Sequence, residues 1–103
     1  MINYWFVKKN TFIKQIKIVG HALYSQQKDD IVCASVSTAI IMTLNAIEIC
    51  ELHSKITYEL KEGFFFGKVL YLNTLLNKLL KNLEYTLNDL SQSYPRYVKA
   101  IMN

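Results

Sequence analysis

Two residue types able to do covalent chemistry stand twelve positions apart in this chain. His21 closes the run Gly20-His21-Ala22, and Cys33 lies in Asp30-Ile31-Val32-Cys33-Ala34-Ser35-Val36-Ser37. The histidine follows an expected strand, and the cysteine falls in the expected first turn of a helix. A thiol at a helix N-terminus feels the positive end of the helix dipole, which favours the thiolate. An imidazole on the preceding loop can accept the thiol proton. A cysteine nucleophile with a histidine partner is therefore the first chemistry to test. By position alone Cys33 also reads as a small buried packing residue, as free cysteines often are. His21 taken alone reads as a surface histidine. Asp30 reads as the helix N-cap, and its carboxylate is also placed to orient His21. Ser37 lies one turn beyond Cys33 on the same face, either beside the site or simply allowing close packing.

The elements that must position these groups follow from the apolar pattern. Ile2 to Val7 alternates as a strand, with Ile2, Tyr4 and Phe6 on one face. Lys8-Lys9-Asn10 is a turn in which Asn10 can take a left-handed conformation. Phe12 to Val19 returns, with Phe12, Ile16 and Ile18 sharing a face with Lys14. Gly20 ends the strand, and His21 to Asp29 is polar and irregular. We expect the loop from Ala22 to Asp29 to move, closing over a bound peptide. From Ile31 to Ile49 apolar residues recur at spacings of three and four around most of the girth, as in a central buried helix capped by Asp29 or Asp30. A second hairpin follows, turning at Glu62-Gly63, with Phe64-Phe65-Phe66 read as a buried strand. Asn73 caps a long amphipathic helix striped by Leu76, Leu79, Leu80, Leu83, Leu87 and Leu90. Tyr94-Pro95 stops it, and Arg96 to Met102 reads as a tail or a final helical turn. The fold class is α+β, in the order β-β-α-β-β-α: two hairpins form an antiparallel or mixed sheet packed against two helices.

The 103 residues suit one domain spanning the chain. Hydrophobic residues make up 51% and charged residues 19%. That apolar surplus suggests a second buried surface, most simply a homodimer interface through Leu76, Leu83 and Leu90 or through the strand from Phe64 to Leu70. The net charge of +4 comes from scattered lysines with no arginine-rich run or interleaved aromatic motif. It indicates no specific nucleic-acid partner, while remaining compatible with a polyanionic neighbourhood such as the ribosome. Cys33 and Cys50, roughly 25 Å apart along one helix, cannot bridge within the chain. The start of the chain lacks a signal-peptide pattern, and no apolar run reads as long enough to span a membrane. A reducing cytoplasm is the simplest compartment. His21, Cys33, Cys50 and His53 lack the paired short spacings of a zinc site, Gly20, Gly63 and Gly67 are isolated, and no cofactor is implied.

Gly-His-Ala, a loop, and Asp-Ile-Val-Cys-Ala-x-Val-Ser resemble the motif of the ribosomal-processing cysteine protease family called Prp. The Tyr94-Pro95-x-Tyr97-Val98 ending resembles that family's C-terminus, so the likeness spans essentially the whole chain. It implies a small homodimeric cysteine protease that removes the N-terminal extension of large-subunit ribosomal protein twenty-seven, cutting after an aromatic residue. Carried over by motif, Cys33 is the nucleophile and His21 the catalytic histidine, with Gly20, Asp30 and Ser37 as matching support. The chain departs from the family at Leu23 and Lys28, where glycines are usual. Two other readings compete: a non-catalytic, ribosome-associated dimer that holds an extended peptide in the same loop, and a structural dimer whose cysteine is only core.

Overall fold

The computed structural model describes residues 1–20 and 27–101, with backbone alone at 27–30. His21 and most of the Ala22 to Asp29 loop lie outside the described residues, as does the expected loop motion.

Two antiparallel pairs and one late parallel strand make a five-stranded mixed sheet. β1 (Ile2–Lys9) and β2 (Phe12–Val19) form the first hairpin, turning at Asn10 with φ 58°. β3 (Ile56–Lys61) and β4 (Phe64–Val69) form the second, turning at Gly63 with φ 72°. β2 and β4 pair antiparallel and join the hairpins. The residues after the stop at Pro95 do not make a helical turn. β5 (Val98–Ala100) lies parallel to β1, giving the sheet order β3-β4-β2-β1-β5. Its register puts fully buried Val98 against Ile2, and the Ile2 amide donates to the Tyr97 carbonyl at 2.7 Å. Burying Val98 and completing the β1 ladder favour a strand, a gain no local pattern announces.

One irregularity changes which residues face inward. The β1–β2 register slips between Val7 and Lys8, so Val7 opposes Gln15 while Lys8 opposes Ile13. Lys14 is the extra residue of this bulge. The core therefore takes Ile13, Ile16 and Ile18, not the expected Phe12. The Asn77 side chain secures the spot, accepting from the Ile13 amide at 2.9 Å and donating to the Thr11 carbonyl at 3.2 Å.

Two helices cover one face of the sheet. α2 (Thr74–Ser93) is capped by Asn73, whose side chain accepts from the Leu76 amide at 2.9 Å. Leu76, Leu80, Leu83 and Leu87 are buried against the sheet; each such side chain contributes roughly 2 kcal/mol. Leu76 and Leu83 are thus core residues and are not free for a dimer interface. α1 (Gln27–Ile49) buries Val32, Val36, Ile40 and Ile47 in the same core. It is not the wholly buried helix that its composition suggests, because Ile41, Met42 and Ile49 are 46%, 66% and 80% exposed. Its stretch Ile31–Ile49 is also long and apolar enough, by length and composition, to cross a bilayer, contrary to the sequence expectation. Of the three phenylalanines in β4, only Phe65 is buried; Phe64 and Phe66 are half-exposed on the outer face.

Candidate active site

α1 begins at Gln27, so neither Asp29 nor Asp30 is its N-cap; both lie within its first turn. Cys33 is then the seventh helical residue, about 9 Å along the axis from the start. Two parts of the sequence argument change. The helix-end field fades within the first turn, so it does little for this thiol. The Cys33 amide belongs to the i→i−4 ladder, so it is not a free donor for an oxyanion.

Cys33 instead gains its place from a cleft of about 250 Å³ between α1 and the sheet. It is a free, half-buried thiol on that wall. Along α1 the residues Cys33, Ser37 and Ile41 follow one another at intervals of four, between the core face and the open face, and all three line the cleft. Across from them stand Ile2, Ile18 and Phe65 from the sheet's inner face, with Leu60, Lys61 and Phe64 on the rim. The lining is largely apolar, and the volume suits one or two side chains of an extended peptide rather than a drug-sized ligand of about 300–1,000 Å³.

Gly20 forms part of the same cleft. Its φ of +125° is strained for any side chain, and a Cβ there would meet the Met1 carbonyl oxygen at 2.2 Å. The Gly20 amide donates to the Gly63 carbonyl at 2.9 Å, tying the end of β2 to the β3–β4 turn. The chain's path out of β2 is therefore fixed at the cleft, and the next residue in sequence is His21.

Of the five residues singled out from sequence, the structure brings Gly20, Cys33 and Ser37 to one cleft. It places Asp30 in the first turn of α1 by backbone, while His21 is outside the described residues. Sequence reasoning missed the rim residues Leu60, Lys61 and Phe64. They join the site only through the β2–β4 and β3–β4 pairings, which no local pattern specifies. His53 and Cys50 lie elsewhere, exposed beyond the end of α1, with His53 Nδ1 3.9 Å from Glu48. Among the described residues no group of histidine, cysteine and carboxylate side chains is placed to hold a metal.

A free thiol in an apolar, peptide-sized cleft suits a cysteine protease, and the comparisons define that class. The family model for cysteine protease Prp matches residues 1–99, and the chain belongs to that family. Solved structures share the fold. An essential ribosomal processing protease Prp from S. aureus, with a covalently linked product peptide, aligns with TM-score 0.83 at 22% identity over 97% of each chain. The S. aureus protease with a substrate peptide aligns with TM-score 0.83 at 18% identity over the full length of both. SMU.848 from Streptococcus mutans aligns with TM-score 0.77 at 24% identity, covering 97% of this chain and 91% of that one. No curated protein matches in direct sequence comparison.

Proposed function

We propose that this enzyme removes the N-terminal extension of large-subunit ribosomal protein twenty-seven, with Cys33 as nucleophile and His21 as general base. The observation that carries the reading is the shared cleft: Cys33 lines it, and so does Gly20, the residue peptide-bonded to His21. Membership in the Prp family supports it, as do the S. aureus relatives described as ribosomal processing proteases with substrate and product peptides.

The chemistry then runs in two halves. His21 takes the Cys33 proton and the sulfur attacks the scissile carbonyl, forming a tetrahedral intermediate. His21 returns that proton to the leaving amine, the C–N bond breaks and a thioester remains. Water, deprotonated by His21, attacks the thioester; the acid product leaves and the thiol re-forms. The helix end contributes little to the thiolate, so His21 carries most of the activation. Gly20 sets the chain's exit towards His21, Ser37 lines the wall beside Cys33, and Asp30 in the first turn of α1 supports the histidine. The apolar lining accepts an aromatic side chain on the acyl side of the cut bond. We further propose that the enzyme works as a homodimer in the cytoplasm, the exposed apolar side of α1 being the contact and both cysteines staying reduced.

The test uses a synthetic peptide spanning the precursor junction, followed by mass spectrometry. Wild-type protein should cut it once, and Cys33→Ala and His21→Ala should bind it uncut. Undiminished cutting by Cys33→Ala would remove the nucleophile assignment. Binding without turnover by wild-type protein would favour the peptide-holding module instead. An uncleavable peptide complex in which His21 stays beyond reach of Cys33 would break the dyad.

A further inference from the structure

The helices leave the other face of the sheet uncovered by any described element, and that face has an organised composition. Pairing across three adjacent strands sets Trp5 opposite Lys17 and Lys17 opposite Phe66. An aromatic–lysine–aromatic row thus crosses β1, β2 and β4. The Lys17 ammonium stands 5.1 Å from the Trp5 ring centroid. At about 4.8 Å per strand step, the two aromatic residues are roughly 10 Å apart. By the same pairings Lys61, Lys68 and Lys99 share this face; Glu59 lies among them and pairs with the Lys61 ammonium at 3.0 Å. Asn3, Gln15 and Thr57, short polar groups able to donate and accept, lie on it as well. Trp5, Lys17 and Phe66 are only half-buried, so part of each side chain is open to a ligand.

We propose that this outer sheet face binds single-stranded RNA. Trp5 and Phe66 offer flat platforms for unstacked bases, and Lys17 between them is placed for the linking phosphate. Lys68 and Lys99 extend the positive track along the backbone, and Asn3, Gln15 and Thr57 meet 2′-hydroxyls. The Trp5–Lys17–Phe66 row lies on the sheet face opposite Cys33, meets the cleft only at its Lys61 rim, and does not depend on the protease reading. Such a face is invisible to a linear scan, since aromatic and basic residues interleave across strands rather than along one. Stacking tolerates any base, so the surface grips a strand with little regard to sequence.

Trp5 is the sole tryptophan, so its emission reports on the site directly. The experiment titrates wild-type protein with an oligouridine twelve-mer while following Trp5 fluorescence and the anisotropy of a labelled strand. Quenching should track binding. Log affinity against log salt should fall with a slope of about −2, at about 0.7 per phosphate neutralised by Lys17, Lys68 and Lys99. Phe66→Ala and Lys17→Gln should each weaken binding about tenfold, with circular dichroism confirming that each variant is folded. Lys17→Gln removes no packed core group, so it keeps the test informative if Phe66→Ala unfolds. Absence of quenching at low salt would overturn the proposal, as would unchanged affinity in Lys17→Gln. Equal binding of duplex RNA would show plain electrostatics without stacking, and equal binding of oligothymidine would remove the RNA assignment. Loss of self-association in Phe66→Ala, without any RNA-induced quenching, would assign the face to a second copy of the chain instead.

Discussion

The two helices lie on the same face of one sheet, yet they are built by different rules. α2 is amphipathic: leucines face the core and lysines, asparagines and an aspartate face out. It is also tied to the sheet by polar contacts. Asn77 holds the bulge in the first hairpin, Tyr4 donates to Asn88 at 2.5 Å, and Lys8 pairs with Glu84 at 2.9 Å. α1 has none of this among the described residues. Its side-chain hydrogen bonds close on its own turns, Ser35 to the Ile31 carbonyl and Thr43 to the Ala39 carbonyl. It is apolar on the core side and again on the opposite side, and Cys33 sits between the two. One helix is an anchored strut. The other, among the described residues, has no side-chain hydrogen bond or ion pair to the sheet, and it forms a wall of the cleft. Segments with fewer fixed polar contacts are where binding sites commonly occur, and here the division falls between two neighbouring helices.

The sharpest break in that comparison is chemical. Cys33→Ala should reduce peptide cleavage to background with the fold unchanged, because the loss is one sulfur on a cleft wall. Cys50→Ser, at the far end beyond α1, should leave the rate within about twofold, since an exposed site away from the chemistry is usually tolerated. Equal loss in both variants, read in the same assay, would mean that the thiol's place on the cleft wall does not matter.

Next in size is stability. Leu87 is fully buried in α2, so Leu87→Ala should cost about 2–5 kcal/mol in chemical denaturation. Met42 on α1 is mostly exposed, and Met42→Ala should cost under about 0.5 kcal/mol in a dilute monomer. Comparable losses would show that the outer side of α1 is covered in solution. The same surface yields a smaller and separable effect: Met42→Glu should shift sedimentation at micromolar concentration from dimer to monomer while the melting curve stays cooperative. An unchanged sedimentation profile would place the dimer contact elsewhere.

The contrast also explains what the sequence revealed. The α2 cap and stripe were legible because Asn73 and the spaced leucines are local signals, and a polar far side removes ambiguity about which face is buried. α1 was half legible. Its existence is readable, but apolar residues on two faces leave both its burial and its starting point open, so the sequence sets Cys33 nearer the helix end than it lies. Gly20 was read as a strand stop, and its closeness to Met1 emerges only when β1 and β2 pair. The bulge at Lys14, the β5 pairing and the rim residues Leu60 and Phe64 all depend on contacts between segments distant in sequence.

The smallest expected effect probes the polar side of the comparison. Burial pushes the Tyr4 phenol above its ordinary value of 10.0, and the nearby Glu84 carboxylate pushes the same way, against a smaller lowering from a Ser91 hydrogen bond. The folded chain therefore holds that proton more tightly than the unfolded chain does. The stability this provides is fully present below pH ~10, where Tyr4 is neutral in both states, and is lost as pH rises through the higher folded value. At neutral pH, Tyr4→Phe gives up the bond to Asn88 and should be less stable by about 1 kcal/mol. Above pH ~10 the wild-type protein weakens relative to this variant, so the gap should narrow. Denaturation of both proteins across that range measures it directly. A gap that stays constant with pH would show that the phenol is not buried against α2, leaving Asn77 and the Lys8–Glu84 pair as that helix's polar ties to the sheet.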